Sequence, residues 1–168
     1  MSDKRPNGFL PFKVTPISGD RLLLSPAYIF PVNIMERGLF MGVKLEQKSV
    51  IADASNGRIT LCRGDIHPIV YTPDESLSVT ELPVKITERC AFAMAEMMAV
   101  PDEARGWKRS FHASSLLFKH DEFKFLWHLY IARKSELIDS FTGESSGAAG
   151  VIDILLGKSD DEGGSPQL

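Results

Sequence analysis

Three histidines, His112, His120 and His128, recur every eight residues. Regularly spaced imidazoles invite a metal reading, but on a continuous helix an eight-residue step rotates the side chain by about 80°, whereas ligands on one face sit three or four apart. No cysteine or carboxylate motif completes a set, so neither a metal nor a cofactor is expected. His67 precedes Pro68 and is isolated in sequence. A nucleophile needs an activating partner, and Cys62, Cys90 and the serines carry no local signature such as a GxSxG elbow. Both thiols are expected to be buried and inert. An enzyme using His112, His120 or His128 as acid or base therefore ranks last among the function classes, because general acid–base chemistry needs a positioned partner.

A second kind of chemistry is charge recognition. ARGWKRSFH sets Arg105, Lys108 and Arg109 beside Trp107 and Phe111, the mixture used to contact anions and stack on planar groups. These three cations are the candidate anion-binding residues, facing an acidic protein segment or a polyanion. The chain's own tail is one such segment: Asp160, Asp161 and Glu162 could screen the patch in cis. Arg63-Gly64-Asp65 matches an adhesive tripeptide but reads as a turn.

Asp53-Ala54-Ser55-Asn56-Gly57 resembles half of the DxSxxG signature of PilZ cyclic-dinucleotide receptors, a family built on a β-barrel. The spacing is one residue short, and the RxxxR arginine pair that clamps the ligand in that family is missing upstream, where Arg5, Arg21 and Arg37 stand far apart. The resemblance implies a small-ligand or nucleotide-binding regulatory domain with a barrel-like pocket, the alternative function class. Asn-Gly between two alternating runs is in itself a hairpin signal. It predicts Ala54 opposite Ile59 and Ala52 opposite Leu61, with Val50 on the same inward face.

The elements that must position these groups fall in two halves. Turn residues and prolines dominate residues 9 to 86, with short β-rich runs at 22–24, 39–45, 50–54, 59–62, 69–71 and 77–86, which predict an antiparallel sheet or small open barrel. From residue 87 the period changes. Thr87 as N-cap, Glu88 in the first turn and Pro101 as a stop predict a helix over 87–100, apolar enough to be buried nearly all round. A second, amphipathic helix is expected over 121–141, with Phe123, Leu126, Trp127, Tyr130, Ile131, Leu137, Ile138 and Phe141 on one face. Phe123, Phe125, Trp127, Leu129 and Ile131 also alternate as in a strand, but no turn signal separates them from ARKSELIDSF, and Gly143 suits a helix end. The fold class expected is α+β: residues 1–141 as a single domain, sheet at 9–86 packed against helices at 87–141.

Residues 142–168 have the composition of a flexible acidic, Gly/Ser-rich tail. It holds one Lys against five acids, a charge of −4 that leaves the body at +1 within the total of −3. A nearly neutral body does not suggest a nucleic-acid partner. The tail contains one apolar segment at 151–156, where Val151, Ile152, Leu155 and Leu156 share a helical face, to be packed on the core or docked on a partner.

At 168 residues, 43% hydrophobic and 24% charged, the chain has the size and composition of a soluble domain. Two cysteines give no disulfide framework, no signal-peptide layout opens the chain and no apolar run reaches the roughly eighteen residues of a membrane span, so a reducing cytoplasm is expected. The function expected first is non-enzymatic protein interaction, as assembly factor, adaptor or regulator, through apolar helical surface. Met94, Met97, Met98, Trp127, Val151, Ile152, Leu155 and Leu156 are the candidate partner-binding residues, for another protein or for self-association.

Overall fold

A computed structural model describes residues 4–38, 42–98, 112–118 and 122–147, with backbone alone at 36–38, 44, 98 and 112–117. The described elements are β1 (Arg21–Gly38), β2 (Gly42–Asp53), β3 (Ile59–Arg63), β4 (Ser78–Glu81), α1 (Glu88–Met98), β5 (His112–Phe118), β6 (Lys124–Arg133), β7 (Glu136–Asp139) and β8 (Ser145–Ser146). Strands dominate, and α1 is the one helix among the described residues. The expected α+β arrangement with C-terminal helices is therefore wrong. Residues 112–118, 124–133 and 136–139 are strands, so no α-helix occupies the described part of 121–141, and Trp127 sits on a sheet.

The chain divides into two compact units. The first comprises residues 1–11, 25–71 and 82–128. Its strands run in the order β3-β2-β1-β6, with β5 also paired to β1. β1 and β2 form a long antiparallel hairpin from Ala27↔Asp53 to Gly38↔Gly42. From Val32 to Gly38, β1 is also paired antiparallel with β5, so this stretch has a strand on each edge. The core is one face of this sheet: Tyr28, Phe30, Val32 and Ile34 with Val50, Ala52 and Ala54, closed by Ala91 and Ala95 of α1. Alanine at those two helix positions lets the helix backbone lie close to the sheet. Rings fill the remaining space, Tyr28 stacking on Phe125 at 4.7 Å and Phe92 meeting Phe30 and Phe118 edge-on.

The predicted start of α1 is correct: the Cys90 amide donates to Thr87 Oγ1 at 3.4 Å, and Glu88 favours the positive end of the helix. Its expected burial all round is not. Ala91 and Ala95 are buried and Phe92 and Met94 half-buried, whereas Arg89, Cys90, Ala93, Glu96 and Met97 face water. One stripe suffices because the helix lies on a single sheet face.

Two prolines concealed β1. Pro26 lies between Leu24, the last residue paired to β4, and Ala27, the first paired to β2. Pro31 stands one residue before the β5 pairing begins at Val32. A proline lacks the N–H that a ladder needs, and both occupy places where a neighbouring strand starts or stops.

The second unit comprises residues 12–24, 72–81 and 129–168. Arg21–Leu24 of β1 pairs parallel with β4, and the end of β6 pairs with β7, which pairs with β8. Leu22, Leu23, Leu24, Leu129, Ile131, Ala132 and Ile138 are its buried apolar residues among those described. The buried Ser140 hydroxyl donates to the Leu129 carbonyl at 2.6 Å. Asp20, buried, is gripped by Arg133, whose Nε and Nη2 donate to its two carboxylate oxygens at 3.0 and 2.9 Å. The Ile17 amide adds a third donor at 2.8 Å.

Candidate interaction surface

The hairpin of β1 and β2 outruns the core that it helps to build. Along β2, residues 43, 45, 47, 49, 51 and 53 share one face by strand alternation. The row is buried at Ser49, Ile51 and Asp53 but open before them: Val43 is 61% and Leu45 63% exposed, and Gln47 is exposed as well. Opposite on β1, Met35 pairs with Leu45 and Asn33 with Gln47, both half-buried. Two neighbouring branched aliphatic side chains thus stand in water on a strand whose other end is core.

The outer edge of β2 changes at the same place. β3 covers it from Lys48↔Arg63 to Ala52↔Ile59. Before Lys48 the edge carries one further bond, from the Gly64 amide to the Gln47 carbonyl at 2.9 Å, and no strand among the described residues pairs with Gly42 to Glu46 there. The Asp53 amide donates to the Arg58 carbonyl on the same edge, so the odd-numbered residues of β2 point their N–H and C=O groups outward. Val43 and Leu45 belong to that set. The even-numbered residues carry charge: Glu46 lies 3.7 Å from Lys48 and 3.9 Å from Arg63, with Lys44 next along the row.

The residues singled out by sequence are scattered relative to this edge. Met97 is 81% exposed on the outer side of α1, while Met94 is half-buried, its methyl 3.3 Å from where a Cβ on Gly57 would stand. Trp127 is half-buried on β6, its amide donating to Gly8 and its carbonyl accepting from Leu10. The side chain of Met98, and Arg105, Lys108, Arg109, Val151, Ile152, Leu155 and Leu156 entirely, lie outside the described residues. So does the tail that was to screen the basic patch.

Among the histidines, His128 is buried on a strand, His67 is exposed and His112 begins β5, while His120 lies outside the described residues. The helical spacing argument does not apply to residues on strands. Cys62 is half-buried, its Sγ donating to the Ser49 carbonyl at 3.4 Å, and desolvation pushes its thiol above the ordinary value. Cys90, expected to be buried, is exposed, because it falls on the outer side of α1.

The Asp53–Gly57 stretch makes the turn of the β2–β3 hairpin, whose strands end at Asp53 and resume at Ile59, five residues lying between them. Ala52 pairs with Ile59 and Val50 with Leu61, two residues from the expected register and hence still on the expected face. Asp53 causes the shift. Its Oδ1 accepts the Ser55 and Asn56 amides at 2.8 and 3.1 Å, its carbonyl accepts the Gly57 amide, and its Oδ2 accepts the buried Ser25 hydroxyl at 2.8 Å. Gly57 adopts φ 78°, and a Cβ there would lie 2.9 Å from Ile86 Cδ1.

The same pattern recurs between β7 and β8. Asp139 Oδ1 accepts the Phe141 and Thr142 amides, the Asp139 carbonyl accepts the Gly143 amide, and the Asp139 amide donates to the residue after the glycine. A loop chemistry used twice accounts for the Asp and Gly of DASNG as hairpin closure.

The sequence missed Val43 and Leu45 as candidates because the expected run at 39–45 took in only the first four residues of β2 and was separated from the run at 50–54 that continues the same strand. The signal available was Val-Lys-Leu-Glu-Gln-Lys at 43–48, where apolar and charged residues alternate without a second apolar face. No helix among the described residues is long and apolar enough to cross a membrane. No protein-family model, curated protein or solved structure matches the chain.

Proposed function

We propose that the chain is a non-enzymatic protein-interaction domain, serving as assembly factor, adaptor or regulator, and that it docks through the open end of β2. The observation that carries this reading is the coincidence of Val43 and Leu45, both exposed, with an edge that has no described strand partner. An uncovered strand presents a row of backbone donors and acceptors that a second polypeptide can satisfy, and apolar side chains on the same strand add burial. Covering two such side chains is worth about 1.5–3 kcal/mol each when burial is complete. The docking surface thereby moves from the helical face expected from sequence to a strand edge, with Met97 on α1 as a separate exposed apolar residue.

A photoreactive residue at position 45, with the same probe at exposed Arg58 as control, tests the reading in extract and with purified chain. Polypeptide adducts at 45 that unlabelled chain competes away, and none at 58, are expected. Equal capture at both positions, or none at 45, would refute it.

A further inference from the structure

Two of the three asparagines precede glycine, Asn7-Gly8 and Asn56-Gly57, and both lie exposed in the first unit. We infer that Asn7 is a site of spontaneous covalent modification, its amide hydrolysed by water through a cyclic imide to aspartate or isoaspartate, and that the fold closes Asn56 to the same reaction.

The glycine nitrogen must lose its proton and swing onto the asparagine Cγ, an approach that a residue without Cβ leaves unobstructed. At Asn7 the bond from Gly8 N to Cγ forms as the Cγ–Nδ2 bond breaks, and the side-chain nitrogen leaves with a proton as ammonia. Water then opens the imide ring. Attack at Cγ gives aspartate, whereas attack at the main-chain carbonyl gives isoaspartate, in which the chain runs on through Cγ. The sum is amide plus water to acid plus ammonia.

Exposure to water does not separate the two pairs, but hydrogen bonding does. The peptide between Asn7 and Gly8 lies between anchored ones: the Asn7 amide donates to the Phe125 carbonyl at 2.8 Å, and the Gly8 carbonyl accepts the Trp127 amide at 2.9 Å. Between these anchors, the Asn7 carbonyl, the Asn7 side chain and the Gly8 N–H have no hydrogen-bond partner among the described residues. That peptide can turn while its neighbours stay bonded.

At Asn56 both reacting groups are engaged. The Gly57 amide donates to the Asp53 carbonyl at 2.9 Å, and Asn56 Oδ1 accepts the Arg58 amide at 2.8 Å. The Asn56 amide is held in turn by Asp53 Oδ1 at 3.1 Å. A carboxylate in the same loop also opposes the negative charge that proton loss would place on the Gly57 nitrogen.

Isoaspartate at position 7 lengthens the chain by one carbon between its two bonds to β6. The pairing that seats buried Phe9 and Leu10 therefore loosens, which aspartate at the same position does not cause.

Peptide mapping by mass spectrometry tests this on the full chain, kept folded or held in denaturant at mildly alkaline pH. Asn33, which precedes branched Ile34 within β1, is the slow reference. In the fold, Asn7 should convert about tenfold or more faster than Asn56, whose hydrogen bonds must open first. In denaturant the two rates should draw together. Chain carrying isoaspartate at 7 should exchange its Leu10 and Trp127 amides faster than wild type, while Asn7→Asp should match wild type. Four results would overturn the inference: Asn56 converting in the fold as fast as Asn7, Asn7 no faster than Asn33, a difference between Asn7 and Asn56 that denaturant leaves intact, or isoaspartate that leaves both amides unchanged.

Discussion

Asp20 and Arg133 lie 113 residues apart in sequence and meet in a two-pronged charge-assisted pair. The Arg133 hydrogen bonds hold the Asp20 carboxyl below its ordinary value against the opposing effect of burial, with the Ile17 amide helping. A carboxyl depressed in the fold stabilises it above the unfolded value near 3.9, and that contribution is lost as pH falls through the folded value. Acid unfolding of the wild type is therefore expected to steepen below about pH 4. Asp20→Asn should cost roughly 1.5–3 kcal/mol at neutral pH, by chemical denaturation, and should flatten that acid dependence. An unchanged acid profile in the variant would remove Asp20 as its source. Nothing in linear order pairs these two residues, whereas the Asp–Gly loops at 53–57 and 139–143 are local and half legible: the turn could be read, but its length depended on where the Asp side chain found its amides.

At the scale of elements, the second half of β2, β3 and the start of α1 were readable because each has a local signal: alternation, Asn-Gly, and Thr87 as a cap. β6 and β7 were not. On β6, Leu126, His128, Leu129, Ile131 and Ala132 are all buried, so both faces carry buried residues and neither a period of two nor a helical stripe decides. The turn between the two strands is Lys134-Ser135, closed by Arg133↔Glu136, without Gly, Asn, Asp or Pro to announce it. Lys134 takes φ 54°, the one positive value among the described non-glycine residues. An L-residue there is strained, and two-residue hairpin loops need such a conformation. Lys134→Gly should consequently stabilise the protein by roughly 0.5–1 kcal/mol, seen as a raised unfolding midpoint. A lowered midpoint would mean that the Lys side chain contributes more than its backbone costs. The same reasoning explains β1: prolines at 26 and 31 argue against a strand locally, and only the starts and stops of its neighbours make them admissible.

For the whole molecule, the distribution of exposed apolar residues bears on function more than total composition does. A chain that is 43% hydrophobic can bury its core and still leave single apolar residues in water without consequence. Val43 and Leu45 differ because they share a strand face with buried Ile51 and border an edge that no strand among the described residues covers. Sequence could supply the expectation of an interaction protein with apolar residues to spare. It could not say which of them the fold would leave outside, because that depends on where β3 stops along β2. Backbone amide exchange on the chain alone and on the chain bound to the polypeptide that a probe at position 45 captures is the most direct measurement, since it reads the hydrogen bonds themselves. The Leu45 amide should exchange more slowly in the bound state, with the Asp53–Gly57 loop unaffected. Exchange at Leu45 that binding leaves unchanged would contradict the claim that this edge docks a polypeptide.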